Sequence, residues 1–480
     1  MRSTLLKPVA LLMAAALVLG ACATESTEDF GASVGNNGAL PDPNLGPIAP
    51  GTGLGHGSAP TSDQVVQAAL TDVQSFWSRS FQRLYGKPYQ PIQGGFWAYG
   101  PTTKQPPCGT PPPSYKDIAE NAFYCPQADL IAWDNVHLVP GLYDQFGGFT
   151  LGLVFAHEFG HAIQTRAGTQ GPTILLELQA DCFAGAWTAD VAAGHSTFFK
   201  VDVTDLDKAV AGFLELRDGV GTNAADPAAH GTGFDRIGSF SEGYEQGLDR
   251  CKRYPDLLAS GSLVITEVPF SDPADFQTGG NLPLDQLSPL LQADLENFWT
   301  AELSLQHKTW KPVADVVDID PSTDTVRCGR KTYRGKVLVN ASFYCIDSNT
   351  IYIDRVTLIP ALNDIGDYAV ATEIARQYAY AAQVQLGNTS SSLSSNLQAD
   401  CFTGVYAASG FTGDRQGKGQ KLFLSPGDLD EAVIAFLSNS DASNDVAAPA
   451  SSVGTAFQRF DAYRSGFVSG MDACTAITSG

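Results

Sequence analysis

Two histidines and a glutamate lie within about one helical turn in the segment His157-Glu158-Phe159-Gly160-His161. Residues i and i+4 of a helix face the same side, so the imidazoles of His157 and His161 can bind one metal ion, and this spacing favours zinc. Glu158 lies beside them and can take a proton from a water molecule that the metal activates. The pattern therefore predicts metal-assisted hydrolysis.

A catalytic zinc ion needs a third protein ligand, and Glu177 is the candidate. The intervening residues 162–176 are enough for a turn and a return helix. Asp181 lies one helical turn beyond Glu177 and can orient a ligand histidine through its other ring nitrogen. Without a metal, the helix would bury two histidines and a glutamate together, which is costly. The metal interpretation is therefore favoured.

The chain contains an internal repeat. Phe123-Tyr124-Cys125 recurs at 343–345, and the segment Leu178–Phe183 recurs at 397–402. Further matches follow in the same order, with offsets between 219 and 223. Small drifts of this kind indicate two copies of one fold with short loop insertions.

These matches predict a first domain over 63–258, a linker over 259–283 and a second domain over 284–480. A short strand is expected at 264–268 within the linker. Helical periodicity and turn signals predict an α+β fold that is mainly helical, with a few short strands in each domain. The predicted local features are a helix over 62–85 capped by Ser62, a helix from Phe149 to about Arg166 ended by Gly168, and a capping-box-like helix start at Thr232 and Asp235.

The second copy lacks every residue of the candidate metal site. Its counterparts of the three ligands and the base, in chain order, are Arg376, Gln377, Tyr380 and Asn396. A fixed positive charge and a neutral amide cannot replace that chemistry. We therefore expect one zinc ion per chain, in the first copy only.

The comparison of the two copies also indicates the roles of two further residues. His230 is also lost, since Val453 stands at its position, and we interpret it as a hydrogen-bond donor to the substrate or the developing oxyanion. A helix-capping or surface role for His230 remains open. Asp181 is kept as Asp400, so its role includes the fold as well as the metal.

The N-terminus has the pattern of a bacterial targeting segment. A basic start and a short apolar run over 9–19 predict a signal peptide over 1–21. It ends in Leu-Gly-Ala-Cys, which resembles a lipobox and implies a lipid-modified Cys22. An ordinary secretory signal is the alternative. Residues 22–62 then form a flexible tether, and the protein is expected on the extracytoplasmic face of the bacterial cell membrane.

The remaining eight of the nine cysteines fall four in each copy at matching positions. Matched, even cysteines in an exported protein predict disulfides, although other pairings within each copy are possible. The predicted pairs are Cys108–Cys125, Cys182–Cys251, Cys328–Cys345 and Cys401–Cys474.

The net charge of −22 argues against nucleic-acid binding and against docking on anionic lipid headgroups. We expect a peptide or protein substrate. The second copy is expected either to pack on the first as a built-in pseudo-dimer or to bind a substrate or partner in its vestigial cleft.

The motifs HEFGH and ELQADC, followed by HGT before a helix and a late cysteine, resemble the neutral zinc metallopeptidases of bacteria, with a gluzincin-like ligand set. The chain also resembles actinobacterial lipoprotein peptidases. The resemblance implies zinc on His157, His161 and Glu177, with Glu158 as general base, in two tandem zincin-like domains of which the second is degenerate. The predicted function is a membrane-anchored zinc metallopeptidase. Two alternatives are a non-catalytic scaffold lipoprotein with a structural zinc and a cell-wall peptide amidase that uses the same site.

Overall fold

The computed structural model describes residues 60–270, 275–413, 421–438 and 452–477. Within these ranges helices dominate and the strands form small sheets, so the predicted α+β, mainly helical fold is confirmed. The predicted signal peptide, Cys22 and nearly all of the tether lie outside the described residues.

The first copy contains one three-stranded sheet and eight helices among its described residues. The strands are β1 (Gly95–Tyr99), β2 (Ala122–Cys125) and β3 (Leu130–Asp134); the helices are α1 (Ser62–Tyr85), α2 (Tyr115–Ile118), α3 (Leu138–Phe146), α4 (Gly148–Ala167), α5 (Thr173–Ala192), α6 (Val203–Glu215), α7 (Gly233–Lys252) and α8 (Tyr254–Ala259).

The linker contains one short helix, and the second copy repeats most of the element order of the first. The helices are α9 (Asp275–Thr278), α10 (Leu284–Leu305), a 3₁₀ turn (Gly335–Leu338), α11 (Leu358–Asn363), α12 (Asp367–Leu386), α13 (Leu393–Phe411), α14 (Asp428–Ser438) and α15 (Ala456–Ala476); the strands are β4 (Asp315–Ile319), β5 (Thr325–Cys328), β6 (Lys331–Arg334), β7 (Ser342–Cys345) and β8 (Thr350–Asp354).

The two three-stranded sheets share one topology. In the first, β3 lies in the centre, parallel to β1 and antiparallel to β2. In the second, β8 takes the central place between β4 and β7 with the same directions. The hairpin of β5 and β6 has no counterpart among the described residues of the first copy. The sequence repeat is therefore a repeat of structure.

Local signals set most helix ends, with two corrections. Gly168 ends α4 in the left-handed conformation, with φ of 77°. The cap of α1 is Thr61 and not Ser62, because the Thr61 hydroxyl accepts from the Gln64 N–H. Thr232 caps α7, but the reciprocal half of the predicted box is missing.

The carboxylate of Asp235 bonds to the linker instead of to the backbone N–H of Thr232. This explains both the incomplete capping box and the absence of the strand predicted over 264–268. The carboxylate accepts hydrogen bonds from the N–H and the hydroxyl of Thr266 in the linker. The prediction of a strand over 264–268 is wrong, because this segment pairs with no strand among the described residues and is fixed by side-chain bonds to α7 instead.

The long helices of each copy pack closely enough to be joined by disulfides. A Cβ atom on Gly243 of α7 would lie 1.8 Å from the carbonyl oxygen of Cys182 in α5, so only glycine fits there. The structure contains the four disulfides Cys108–Cys125, Cys182–Cys251, Cys328–Cys345 and Cys401–Cys474.

The two copies contact each other through α6 and α7 of the first and α14 and α15 of the second. The contact surface combines aromatic pairs, such as Phe234 with Phe460, and polar pairs, such as Ser241 with Asp461 at 2.6 Å. Among the described helices, none has the length and apolar character needed to cross a membrane.

Candidate metal centre

The centre forms where α4 crosses α5. A Cβ atom on Gly160 would lie 2.8 Å from the Cα of Ala180, so the absence of a side chain allows the close approach of the two helices. His157 and His161 lie on α4 on either side of this contact, and Glu177 and Asp181 lie on α5. The sequence-predicted residues are thus brought together by the packing of two helices.

Four candidate ligand atoms converge in this crossing, one from each histidine and two from Glu177. The Nε2 atoms of His157 and His161 are 3.1 Å apart, and Glu177 Oε2 is 3.1 Å from the first. Glu177 Oε1 is 3.4 Å from His161 Nε2. Ligand atoms bound about 2.0–2.1 Å from a tetrahedral zinc ion lie roughly 3.3 Å from one another. The spacing of the three side chains therefore fits zinc.

The orientation of His157 is fixed from behind by a carboxylate. Asp181 Oδ1 lies 2.6 Å from His157 Nδ1, and a carboxylate only accepts, so Nδ1 carries the proton. The lone pair of Nε2 is then free for a metal, which is the usual arrangement of a ligand histidine.

The second imidazole is oriented in the same way by an amide. The Gln164 side-chain N–H donates to the carbonyl of Leu176 at 2.6 Å, so its Oε1 faces His161 Nδ1, 3.0 Å away. Both Nε2 lone pairs therefore point into the cluster. Lone pairs 3.1 Å apart repel each other unless a proton or a cation lies between them.

Arg236 holds Asp181 in place and was missed as a site residue in the sequence analysis. Its guanidinium donates to both carboxylate oxygens of Asp181, at 2.9 and 3.0 Å, deep in the core. The available signal was that Gln164 and Arg236 recur in the second copy as Gln383 and Arg459. That recurrence indicates a structural role for both residues. The contact of Gln164 with His161, and that of Arg236 with Asp181, adds a role at the metal centre.

The charges of the cluster suit a cation. Burial alone would lower the pKa of His157, but the carboxylates of Asp181 and Glu177 outweigh it and raise this pKa to about 10. Burial alone would raise the pKa of Glu177, but the two imidazoles hold it well below its usual range. The cluster therefore keeps a carboxylate charge and attracts positive charge.

Glu158 is held at the sheet side of the centre. Its Oε2 accepts a hydrogen bond of 2.8 Å from the backbone N–H of Tyr124 in β2. Burial is the main influence on Glu158 and raises its pKa. A carboxylate anchored by one oxygen and of raised proton affinity can accept a proton with the other.

His230 lies in the loop that precedes α7, and its side chain is half exposed. Its Nδ1 is 3.1 Å from Asp218 Oδ1, and this hydrogen bond is the main cause of its raised pKa. A Cβ atom on the next residue, Gly231, would lie 3.2 Å from Ile174 and 3.3 Å from Leu178 of α5, so the backbone here runs close to the helix that carries Glu177. His230 is thus at the exposed side of the centre and outside the ligand cluster.

Residues 52–254 match the family described as "Putative neutral zinc metallopeptidase". The predicted family resemblance is confirmed. The match contains all the candidate residues of the first copy but spans less than half of the chain.

Curated relatives share the same part of the chain. "Uncharacterized protein YpfJ" of Escherichia coli is 27% identical over 219 residues, which cover 39% of this chain and 71% of that protein. "Uncharacterized protein Mb2605" of Mycobacterium bovis and "Uncharacterized protein Rv2575" of Mycobacterium tuberculosis are each 32% identical over 152 residues, covering 26% of this chain and 52% of those proteins. No solved structure matches the chain significantly.

The corresponding crossing of α12 and α13 in the second copy is closed by direct side-chain bonds. Arg376 donates to Asp400 Oδ1 at 2.6 Å, where His157 meets Asp181 in the first copy. Tyr380 donates to the side-chain oxygen of Asn396 at 2.5 Å, and Arg459 remains beside Asp400. A guanidinium takes the place of the first ligand, and its charge opposes a cation.

Proposed function

We propose that the protein is a zinc metallopeptidase that is anchored by a lipid on Cys22 and cleaves peptide bonds outside the cytoplasm. The observation that carries the proposal is the convergence of the His157, His161 and Glu177 ligand atoms at 3.1, 3.1 and 3.4 Å. The family match supports the same chemistry at a coarser level.

Each residue of the centre has a distinct role in the proposed reaction. His157, His161 and Glu177 would hold the zinc ion, while Asp181 and Gln164 keep the two imidazoles in the tautomer that binds metal. A zinc ion held there polarises a substrate carbonyl and lowers the pKa of a water molecule. Glu158 accepts the proton of the attacking water and then delivers it to the leaving amine.

His230 is proposed to stabilise charge on the substrate. Asp218 raises the pKa of His230, so the imidazole is more readily protonated and can donate to an oxyanion. This role requires its ring to reach the substrate carbonyl, and replacement by glutamine retains a donor whereas alanine does not. The expected order of cleavage rates is wild type, then His230→Gln, then His230→Ala.

The proposal is tested by cleavage of casein and of a peptide library, together with metal analysis of the purified full chain. Glu158→Gln should abolish cleavage and leave one zinc ion per chain, since it removes the base and no ligand. The matched control is Gln377→Glu, which places a carboxylate at the same position of the second copy and should add no activity. Cleavage by Glu158→Gln at the wild-type rate would rule the mechanism out.

Chelation separates a catalytic zinc from the structural zinc of a scaffold lipoprotein. The centre lies between α4 and α5, which pack directly on each other, and α5 is also joined to α7 by the Cys182–Cys251 disulfide, so zinc removal should stop cleavage and lower the melting temperature only slightly. Global unfolding on chelation would favour the scaffold alternative. Cleavage of a peptidoglycan-derived peptide in the library would favour the amidase alternative.

A further inference from the structure

Three carboxylates meet in the second copy, far from the residues of the metal centre in sequence. Asp367 is the first residue of α12, and Asp428 and Glu431 lie in the first turn of α14. One carboxylate oxygen from each lies within 4.8 Å of the other two. Asp367 and Asp428 are only 5% and 3% exposed, whereas Glu431 is partly buried at the edge of the cluster.

The partners of these carboxylates are neutral donors. Asp428 accepts from the N–H and the hydroxyl of Ser425, and Glu431 Oε2 accepts from the Tyr368 N–H at 2.9 Å. Asp367 Oδ2 accepts from the Leu282 N–H at 2.9 Å. The other oxygen of Asp367, Oδ1, is buried with no hydrogen-bond partner among the described residues.

Among the described residues, no cationic side chain compensates the charge of the cluster. In the described part of the chain, the groups that act on the three carboxylates are backbone N–H groups, a serine hydroxyl and other carboxylates. Buried carboxylates without a cationic partner are either protonated or bound to a metal ion. Burial accordingly raises the pKa of Asp428 well above its usual range and that of Glu431 to about 8.

The first copy is an internal control for this cluster. At the offsets 219 and 223, the three positions correspond to Gly148, Asp205 and Lys208. The structure agrees, because a Cβ on Gly147 would lie 4.0 Å from the Lys208 ammonium, and a Cβ on Gly366 would meet the Glu431 carboxylate. Only Asp428 belongs to the shared fold, and the other two carboxylates are specific to the second copy.

We propose that Asp367, Asp428 and Glu431 bind one Ca²⁺ ion. An all-oxygen set of carboxylates is the donor chemistry of a hard divalent cation, and oxygens within 4.8 Å of one another are close enough to share one Ca²⁺ ion at bond lengths of about 2.3–2.6 Å. Asp367 Oδ1 is buried without a hydrogen-bond partner among the described residues, so it is available as a ligand atom.

The ion would join three segments of the chain. Asp367 is bonded to the linker through Leu282, and the Asp367 N–H donates to Asn281 in the same linker. Asp428 and Glu431 fix the start of α14, whose Asp430 reaches the first copy. Ca²⁺ would therefore stabilise the linker and the contact between the copies, independently of zinc in the first copy.

Equilibrium dialysis of the full chain against Ca²⁺ tests the proposal. Zinc is present on both sides of the membrane, and both metals are quantified. The wild type should bind one Ca²⁺ per chain. Asp367→Asn and Glu431→Gln keep an acceptor oxygen but remove charge, so each should weaken Ca²⁺ binding at least about tenfold. Asp205→Asn, at the first-copy counterpart of Asp428, is the matched control and should leave Ca²⁺ binding unchanged.

Circular dichroism of each variant shows whether it is folded, and Mg²⁺ is added in a parallel series. Absence of Ca²⁺ from the wild type would mean that protons alone neutralise the cluster, and would overturn the proposal. Retention of Ca²⁺ by both folded variants, or binding of Mg²⁺ without Ca²⁺, would overturn it as well. The zinc content measured in the same samples reports on the peptidase proposal separately.

Discussion

Asp430 of the second copy accepts a hydrogen bond of 2.8 Å from the backbone N–H of Phe234 in the first copy. In the opposite direction, Asp207 of the first copy accepts from the N–H of Phe457 at 2.9 Å. The two pairs are related by the offset of 223. Each copy thus places a carboxylate at the N-terminus of a long helix of the other, where negative charge is favourable. The contact has the reciprocal form of a two-fold interface.

Removal of the Asp430 carboxylate should destabilise the fold of the first copy. Asp430→Ala leaves the first N–H groups of α7 and the guanidinium of Arg217 without their partner, so we expect a loss of about 1–2 kcal/mol in the free energy of unfolding. Cleavage should also fall, because α7 begins just after His230. Urea unfolding and peptide cleavage measure the two effects.

The matched control for that change is Asp207→Ala, which removes the reciprocal cap from α15. It should lower stability without lowering the cleavage rate of the remaining folded protein. Equal losses of activity in the two variants would show that the contact acts through overall stability alone.

Asp181 should contribute to zinc affinity through His157. Asp181→Asn removes the negative charge that faces Arg236 and can present an amide N–H to His157, which disfavours the metal-binding tautomer. Loss of such a partner typically weakens metal binding about 10–100-fold. Competition with a chromogenic chelator measures the affinity, and Asp400→Asn in the second copy should leave it unchanged.

Gly160 should control the separation of the two helices that carry the ligands. In Gly160→Ala the new methyl group would lie 2.8 Å from the Cα of Ala180, so α4 and α5 must move apart. We expect weaker zinc binding and a lower melting temperature. The second copy has Ala379 at this position, and Ala379→Gly is the control that should leave zinc affinity intact.

The carboxylate cluster of the second copy predicts a pH dependence of stability. The pKa of Glu431 rises from 4.5 to about 8 on folding, mainly through burial, with Asp367 and Asp430 adding to the effect. The folded chain then binds more protons than the unfolded chain between these values, so stability falls as pH rises through this window. Melting temperatures across the range, without Ca²⁺, measure the decline.

Added Ca²⁺ should flatten that decline, because the ion replaces the protons as the neutralising charge. Glu431→Gln should flatten it without Ca²⁺, since the titrating group is gone. A decline of equal slope in wild type and variant would assign the pH dependence to other buried carboxyl groups.

The sequence predicted the ligand cluster because residue type and spacing carry that information. His157 and His161 share a helix face, and the short connection to Glu177 allows only a neighbouring helix. The bond from the Tyr124 N–H to Glu158 could not be predicted, since a backbone donor has no residue-type signature and the two residues are 34 positions apart.

The individual residue pairs between the copies could not be predicted either, although packing of one copy on the other was one of the two expectations. Asp430 lies in a helix of ordinary amphipathic pattern, and only the packing of α14 on α7 gives it the role of a cap. The linker shows the same limit. The β-branched residues around Thr266 favour a strand, but the backbone N–H of Thr266 donates to the Asp235 carboxylate and not to a neighbouring strand.

Arg376 also determines how the second copy can evolve. Its Nε–H donates to Asp400 and Tyr380 donates to Asn396, while both terminal nitrogens of Arg376 are buried without a hydrogen-bond partner among the described residues, so a buried positive charge stands where the first copy has its metal centre. Restoring one histidine would break a bond and still leave fewer than three ligands. No single substitution can therefore create a three-ligand metal site in this copy, because the residues at all three ligand positions would have to change.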